Sequence, residues 1–332
     1  MYLVYLLKCK NIYYKIYFLR GFIKVSIGIL FPGQGSQSIG MLKDLKGSYK
    51  IVTNIFDEAS EFLSCDLWKI AKNGPESKIN DTEFTQPIML CAAYSVWKIW
   101  NDEGGEIPIF MAGHSFGEYT ALCAAGSLKF KDAIKLVKKR ALCMKDAPKG
   151  KMSAIIGISY QDLKVVFDQS GLNDVSIANI NAPGQIVISG SSLGVDKLSR
   201  LALSKGAKKV VTLPVSVAAH SALMLDQSSI YKKHVNNVKF LKPEISVINN
   251  VDVKVQNEEE LIKDALIRQL HSSVRWVETI EFMEQQGVDL LLELGPGKVL
   301  TSFSKRIDNS IKSLSVSDCN SLETALETLS CI

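Results

Sequence analysis

The amino-acid sequence predicts an α/β protein in which a larger core carries a smaller inserted subdomain. Two short apolar segments, 26–31 and 107–112, each lead into a glycine-containing loop, as buried strands of an α/β core do. Between residues 150 and 216 the pattern runs strand, helix, two strands, helix, strand, and this βαββαβ order is typical of a ferredoxin-like unit. The predicted segments are an N-terminal extension (1–24), the core (25–149 and 217–316), the ferredoxin-like subdomain (150–216) and a C-terminal tail (317–332).

Composition and charge indicate a soluble globular protein. With 47% hydrophobic and 22% charged residues, the 332-residue chain can bury a substantial core. The net charge of +5 is spread along the chain, so we expect no nucleic-acid partner, whereas an acidic protein or a phosphate-bearing ligand would be attracted. The seven cysteines include no Cys-x-x-Cys pair, which predicts neither a disulfide framework nor a zinc site. We therefore expect a reduced, cytoplasmic protein.

The first 25 residues differ from the rest because they are aromatic and basic and contain no acidic residue. Their apolar run 1–7 is short, Lys8 and Lys10 interrupt it, and no small-residue cleavage site follows, so a signal peptide is not predicted. Arg20 and Lys24 keep the later apolar stretch well below the ~18 residues of a membrane span. We expect an appendage outside the folded core without stable membrane insertion, and a membrane-surface anchor is the alternative.

Residues 113–117, Gly-His-Ser-Phe-Gly, directly follow the strand predicted over 107–112. A helix predicted over 116–125 comes next and stops at Gly126. Strand, Gly-x-Ser-x-Gly and helix form the context in which a sharp turn exposes a serine hydroxyl, although the pentapeptide alone can be a plain polar turn. We interpret Ser115 as a nucleophile on such an elbow, and the core as α/β-hydrolase-like.

A serine nucleophile needs a base, and the chain has four histidines. His114 adjoins the serine and would point away from it on a tight turn. His234 lies in a polar helical stretch, and His271 lies near a predicted helix end. His220 sits in a small and apolar segment between a strand and a helix, where an imidazole can stay neutral. We predict His220 as the base, while the same surroundings would also suit a histidine of the core.

Arg140 is predicted to face the protein interior. It shares helical spacing, and therefore one apolar stripe, with Ala133, Val137, Ala141 and Met144. A buried guanidinium without an anion is costly, so the side chain should meet a carboxylate. That carboxylate belongs either to a ligand or to an internal salt bridge.

Six motifs occur in the order and spacing of one known family. They are FPGQGSQ (31–37), GHSFGEY (113–119), KLVKKRALCM (135–144), NAPGQIVISG (181–190), PVSVAAH (214–220) and ELGPGKVL (293–300). From about Ser26 to about Ile311 the chain thus resembles the malonyl-CoA:acyl carrier protein transacylases. The resemblance implies transfer of malonyl from coenzyme A to a serine, and then to the phosphopantetheine thiol of acyl carrier protein, for fatty acid biosynthesis. Malonyl-CoA is then a substrate, and we expect no cofactor, no metal and a monomer.

The resemblance also assigns roles to single residues. It implies Ser115 as the nucleophile, His220 as the base, Arg140 as the ligand of the malonyl carboxylate and Gln34 as part of the loop beside the oxyanion. It further implies that the backbone carbonyl of Gln269 orients His220. A Ser-His dyad then suffices without an acidic residue near the histidine, because only the second ring N–H has to be fixed.

Two further positions complete the expected site. The backbone amide of Phe116, the residue after the nucleophile, is the expected oxyanion donor, together with the Gln34 loop. Asn181 could contact the pantetheine arm, although an ordinary hairpin turn explains it nearly as well. Phe116 stands where the family usually has leucine, and Ala218-Ala219 replace the more common Pro-Ser, which bears on acyl-group selectivity more than on the chemistry.

Two other functions compete with acyl transfer. A serine esterase would use the same elbow, but the missing acid and the inward Arg140 argue against it. A non-catalytic module that docks carrier proteins is the alternative from another class. The joint presence of Ser115, His220 and the FPGQG loop argues against that alternative.

Overall fold

The computed structural model describes residues 25–215 and 217–330, so the predicted extension 1–24 lies outside the described residues. The strands are β1 Ile27–Phe31, β2 Phe110–Gly113, β3 Lys151–Ile156, β4 Val175–Ala182, β5 Gln185–Gly190, β6 Lys209–Thr212, β7 Ser246–Ile248, β8 Leu290–Leu294 and β9 Lys312–Val316. The helices are α1 Lys43–Ser48, α2 Lys50–Leu63, α3 Leu67–Asn73, α4 Glu76–Ile79, α5 Thr82–Asp102, α6 Gly117–Ala124, α7 Phe130–Lys145, α8 Tyr160–Ser170, α9 Ser192–Ser204, α10 Leu225–Asn236, α11 Glu259–Gln269, α12 Trp276–Gln285, α13 Val299–Ile307 and α14 Cys319–Ser330, with a 3₁₀ turn at Ala222–Met224.

A parallel five-stranded sheet with the order β7-β2-β1-β8-β9 forms the larger unit. Strands β1 and β8 read as apolar runs because both are buried along their whole length, which is usual for parallel strands covered on both faces. Strands β1 and β2 end side by side, since Phe31 pairs with Gly113. The loop that contains Gln34 therefore leaves the sheet next to the turn that contains Ser115.

The second sheet is antiparallel and has the order β4-β5-β3-β6. In the chain these strands alternate with α8 and α9 as β3-α8-β4-β5-α9-β6, which is the order predicted between residues 150 and 216. The unit has an apolar cluster of its own, to which Ile155, Leu163, Ile188 and Leu198 contribute. The presence of both sheets with their helices confirms the predicted α/β class.

Strand β2 is shorter than the strand predicted over 107–112. It begins only at Phe110, and the side chain of Ile107 is 70% exposed. Pro108 has no N–H to donate to a neighbouring strand, which explains why regular pairing starts after it. Residues 107–109 of the apolar run thus precede the strand and are not part of it.

The segment predicted as a C-terminal tail contains the helix α14. Leu322 and Ala325 of this helix are buried, and the backbone N–H of Cys319 donates to a carboxylate oxygen of Asp44 over 2.8 Å. The Asp318 carboxylate accepts a hydrogen bond from the backbone N–H of Ser321 over 2.8 Å, as a helix N-cap does. Residues 319–330 therefore pack against the parallel-sheet unit.

Helix α5 is a long apolar helix that packs into the main core. Its N-cap is Asp81, whose carboxylate accepts from the backbone N–H of Glu83, and side chains such as Leu90 and Trp100 are buried in the main core. Within residues 25–215 and 217–330, no helix combines the length and apolar character that crossing a membrane would need.

Candidate active site

Ser115 lies on a sharp turn between β2 and α6. Its φ of 53° falls in the left-handed region that residues with side chains rarely adopt. The two flanking glycines make the turn possible, because a Cβ at Gly113 would lie 1.9 Å from the carbonyl carbon of Gly117. A Cβ at Gly117 would lie 2.5 Å from the carbonyl oxygen of Phe31 on β1. The Gly-x-Ser-x-Gly spacing thus has a steric cause at both glycines.

The structure brings His220 to Ser115. Ser115 Oγ and His220 Nε2 are 2.8 Å apart, although 105 residues separate them in the sequence. On the other side of the ring, Nδ1 lies 2.7 Å from the carbonyl oxygen of Gln269 and 3.2 Å from that of Ser272. A carbonyl can only accept, so Nδ1 carries the proton and Nε2 is left as the acceptor for the serine O–H.

His220 is held in its neutral form. Burial, followed by the positive charge of Arg140, lowers the pKa of His220 to about 3, while the backbone carbonyls of Gln269 and Ser272 oppose this shift. At neutral pH the ring is therefore uncharged, and its Nε2 can accept a proton from Ser115.

Arg140 is buried beside the dyad, as its helical spacing predicts, with 1% of its surface exposed. Its Nη2 donates to Ser115 Oγ over 3.2 Å and to Gln269 Oε1 over 3.0 Å. Its Nη1 donates to Gln86 Oε1 and to the sulfur of Met144, each over 3.2 Å. Among the described residues no ion pair joins Arg140 to a carboxylate, and its Nε has no hydrogen-bond partner. The sequence left two partners open for Arg140, a ligand carboxylate and an internal salt bridge. The internal salt bridge is not found in the described part of the chain.

These groups face a cavity of about 160 Å³ between the two sheets. Apolar side chains such as Val187 and Leu213 form its wall on the side of the antiparallel sheet. The predicted site residues that line it are Gln34, Ser115, Phe116, Arg140, Asn181 and His220, while Gln269 lies behind them and bonds to Arg140. The cavity therefore gathers residues from five distant parts of the sequence.

The remaining predicted residues make specific contacts. The side-chain amide of Gln34 bonds to Thr82 Oγ1 over 3.2 Å. Asn181 Oδ1 lies 2.8 Å from His114 Nε2, so this ring nitrogen is paired with Asn181, although His114 also lines the cavity. His234 and His271 do not line the cavity.

Two residues of the site were not found from the sequence. Asn250, which follows β7, accepts from the backbone N–H of Ser115 through Oδ1 and donates to the carbonyl of Gly113 through Nδ2, each over 2.7 Å. Glu118, in the first turn of α6, is 2% exposed, and burial raises its pKa to about 7. A sequence signal existed for Glu118, since an acidic residue interrupts an otherwise uncharged helix three residues after the serine. None existed for Asn250.

Comparison with known proteins places the chain in a family. Residues 29–324 match the acyl transferase domain. The malonyl CoA-acyl carrier protein transacylase of Salmonella typhimurium is 42% identical over 301 residues, which cover 90% of this chain and 97% of that protein. An acyl carrier protein S-malonyltransferase from Vibrio cholerae has a similar structure, with a TM-score of 0.87 at 45% identity over 90% of this chain and 99% of that one.

A second solved structure includes a carrier protein. It is a malonyl-transacylase in complex with its type II PKS acyl-carrier protein, with a TM-score of 0.89 at 42% identity over 91% of this chain and 99% of that chain. The resemblance found from the motifs is thus confirmed along nine-tenths of the sequence. The chain belongs to the acyl transferase family, and within it to the malonyl CoA-acyl carrier protein transacylases.

Proposed function

We propose that this protein transfers the malonyl group from malonyl-CoA to the phosphopantetheine thiol of acyl carrier protein, and so supplies malonyl-ACP for fatty acid biosynthesis. The observation that carries the proposal is the position of Arg140. Among the described residues this buried guanidinium donates to neutral acceptors and forms no ion pair, and it lies 3.2 Å from the hydroxyl of a serine that is hydrogen-bonded to a neutral histidine. Such a site can acylate a serine and bind a carboxylate at the same time. The names of the relatives and the carrier-protein complex support the same substrates.

The first half of the reaction acylates Ser115. As Oγ attacks the thioester carbonyl of malonyl-CoA, His220 Nε2 takes the hydroxyl proton. The tetrahedral intermediate then expels the coenzyme A sulfur, which receives the proton from His220 and leaves as a thiol. The carbonyl of Gln269 stabilises the imidazolium while it exists, because it accepts from Nδ1.

The second half reverses these steps with a different thiol. His220 takes the proton of the phosphopantetheine thiol, the sulfur attacks the malonyl ester, and Ser115 leaves with the proton returned to its oxygen. In both halves the negative charge on the carbonyl oxygen is stabilised by the backbone amide of Phe116 and by the Gln34 loop. Phe116 is the N-cap of α6, where the helix dipole favours a negative charge.

Arg140 selects the malonyl group by binding its free carboxylate. Two parallel charge-assisted hydrogen bonds to a carboxylate suit the planar guanidinium and cannot be reproduced by lysine. We expect Arg140→Ala to lower the rate of malonyl transfer by roughly thirty-fold to several thousand-fold, because truncation of one partner of a buried charge pair costs ~2–5 kcal/mol. Acetyl-CoA has no such carboxylate, so its use relative to malonyl-CoA should rise. Arg140→Lys should recover only part of the loss.

The measurement is the rate of acyl-enzyme formation from each thioester, with Arg200→Ala on the exposed face of α9 as the control. Equal losses for malonyl and acetyl in Arg140→Ala, together with a lower melting temperature, would identify Arg140 as a structural residue.

The pH dependence of acylation follows from the lowered pKa of His220. The neutral ring is the active base, and a pKa of about 3 keeps it neutral far below the ordinary value of 6.5. We therefore expect the rate of acyl-enzyme formation to stay level as the pH falls from about 7.5 to about 5. Arg140→Ala removes a positive charge that lowers this pKa, so the acid loss of activity should move to higher pH in that variant. The pKa of Glu118 lies near 7, so the contradicting result is an inflection near pH 6.5 that the wild type and Glu118→Gln share.

Finer features of the molecule remain part of the proposal. We infer that the antiparallel unit is a ferredoxin-like subdomain inserted into an α/β-hydrolase-like core, with boundaries at 150 and 216, and its chain order and strand order support this. We also propose that the enzyme acts as a cytoplasmic monomer without cofactor, metal, nucleic-acid partner or stable membrane insertion. The chemistry of acyl transfer between thioesters supports a reaction without a cofactor, since it needs only a nucleophile, a base and oxyanion donors.

A further inference from the structure

Glu118 is a buried carboxyl group that the proposed reaction does not use directly. Its Oε2 accepts two hydrogen bonds, from the side-chain Nε2 of Gln269 over 2.7 Å and from the backbone N–H of Asn250 over 3.0 Å. Burial of a carboxyl group is unfavourable unless its hydrogen bonds are satisfied, and here both come from residues that contact the site. Glu118 is therefore hydrogen-bonded to two separate segments of the chain, at Gln269 and at Asn250.

Gln269 connects Glu118 to three groups of the site. Its Nε2 also donates to the carbonyl of Ser115 over 3.0 Å, its Oε1 accepts from Arg140, and its backbone carbonyl accepts from His220 Nδ1. The amide works only in one orientation, because Oε1 has to face the guanidinium and Nε2 has to face two oxygens. The Glu118 carboxyl favours that orientation, since its Oε2 already accepts from Asn250 and offers no proton to an amide oxygen turned toward it.

Asn250 connects Glu118 to the strained turn. Its side chain bonds to the N–H of Ser115 and to the carbonyl of Gly113, while its own backbone N–H donates to Glu118. The backbone N–H of Ser115 thus bonds to the side chain of Asn250, and its carbonyl bonds to the side chain of Gln269. Glu118 is hydrogen-bonded to both of these residues. A φ of 53° persists only where the surroundings fix it.

We propose that Glu118 is a positioning residue which, through Gln269 and Asn250, holds the nucleophile Ser115, the base His220 and Arg140 in one arrangement. The inference rests on the proposed function for the roles of these three residues. The proposal is based on the two hydrogen bonds that Glu118 Oε2 accepts, one from Gln269 and one from Asn250. The competing explanation is purely structural, in which an acidic residue in the first turn of α6 only stabilises the helix.

Glu118→Leu and Glu118→Gln separate the two explanations. Leucine removes the acceptor, and we expect the first-order rate constant for acylation of Ser115 at saturating malonyl-CoA to fall about a hundredfold, as misplacement by ~1 Å can cause. Glutamine keeps one oxygen that can accept both bonds, so it should restore most of the lost rate. The matched control is Glu293→Leu, because Glu293 is also wholly buried and accepts from the backbone N–H groups of Leu300 and Thr301 away from this network. Rates are referred to the folded fraction, measured from each variant's melting curve.

The rate at which a phosphonofluoridate labels Ser115 is a second measurement, and it does not depend on recognition of the malonyl group. Ser115 Oγ forms a bond to phosphorus, fluoride leaves, and His220 takes the serine proton. We expect Glu118→Leu to slow this labelling as well, whereas Arg140→Ala should slow acylation by malonyl-CoA far more than labelling. If the wild type resists malonyl-CoA but its labelling depends on Glu118, the proposed function fails and the positioning role stands.

Three results would overturn the positioning role. One is a folded Glu118→Leu protein that reacts with both reagents at wild-type rates. Another is a loss in Glu293→Leu as large as that in Glu118→Leu, which would indicate general destabilisation. The third is a Glu118→Gln protein as slow as Glu118→Leu, since charge rather than hydrogen bonding would then be required.

Discussion

Ser115→Ala is expected to form no acyl-enzyme with malonyl-CoA. The Ser115 hydroxyl lies 2.8 Å from the base and 3.2 Å from Arg140, and among the described residues that line the cavity no other side chain carries a hydroxyl or a thiol. Alanine has the same backbone preferences as most residues with a Cβ, so the turn should form as it does in the wild type. The measurement is the mass of the intact protein after mixing with malonyl-CoA. The control is Ser204→Ala, at an exposed position at the end of α9, which should be labelled normally. Normal labelling of Ser115→Ala would mean that the nucleophile is elsewhere.

His220→Ala is expected to lower the rate of acyl-enzyme formation by roughly 10²–10⁴-fold, the usual contribution of a positioned general base. His114, His234 and His271 should be much less sensitive to substitution. His114 is directed to Asn181, and the other two do not line the cavity. The same mass measurement, made over time, gives the four rate constants. If His271→Ala were the most damaging variant, the base would have been assigned to the wrong histidine.

The parts of the site that follow from local patterns could be predicted from the sequence. Ser115 is marked by two glycines whose absent side chains let the turn form, and the surrounding strand and helix can be read from apolar runs. Arg140 follows from helical periodicity, and it is buried with its stripe neighbours Val137 and Met144. His220 could be chosen because so few histidines were available.

The parts that depend on contacts between distant segments could not be predicted. The hydrogen bonds of Asn250 to Ser115 and Gly113 span 135 and 137 residues, and no local pattern in the chain indicates them. Helix α14 did have local signals, since Leu322, Ala325, Leu326 and Leu329 follow helical spacing behind the Asp318 cap. Strand β2 was predicted too early because Ile107 continues the apolar run while Pro108 prevents pairing. The Asn250 contacts thus lie outside any local window, whereas Pro108 lies within the apolar run and matters because it cannot donate to a neighbouring strand.

The central claim is that a malonyl ester of Ser115 is an intermediate whose acyl group passes to a thiol. The most direct test mixes the wild-type protein with radiolabelled malonyl-CoA, removes unbound thioester, and adds acyl carrier protein that bears phosphopantetheine. We predict a stable label on Ser115 that moves to the carrier protein as malonyl-ACP. Release of free malonate without transfer would indicate an esterase, and the absence of any label on the protein would contradict acyl transfer altogether.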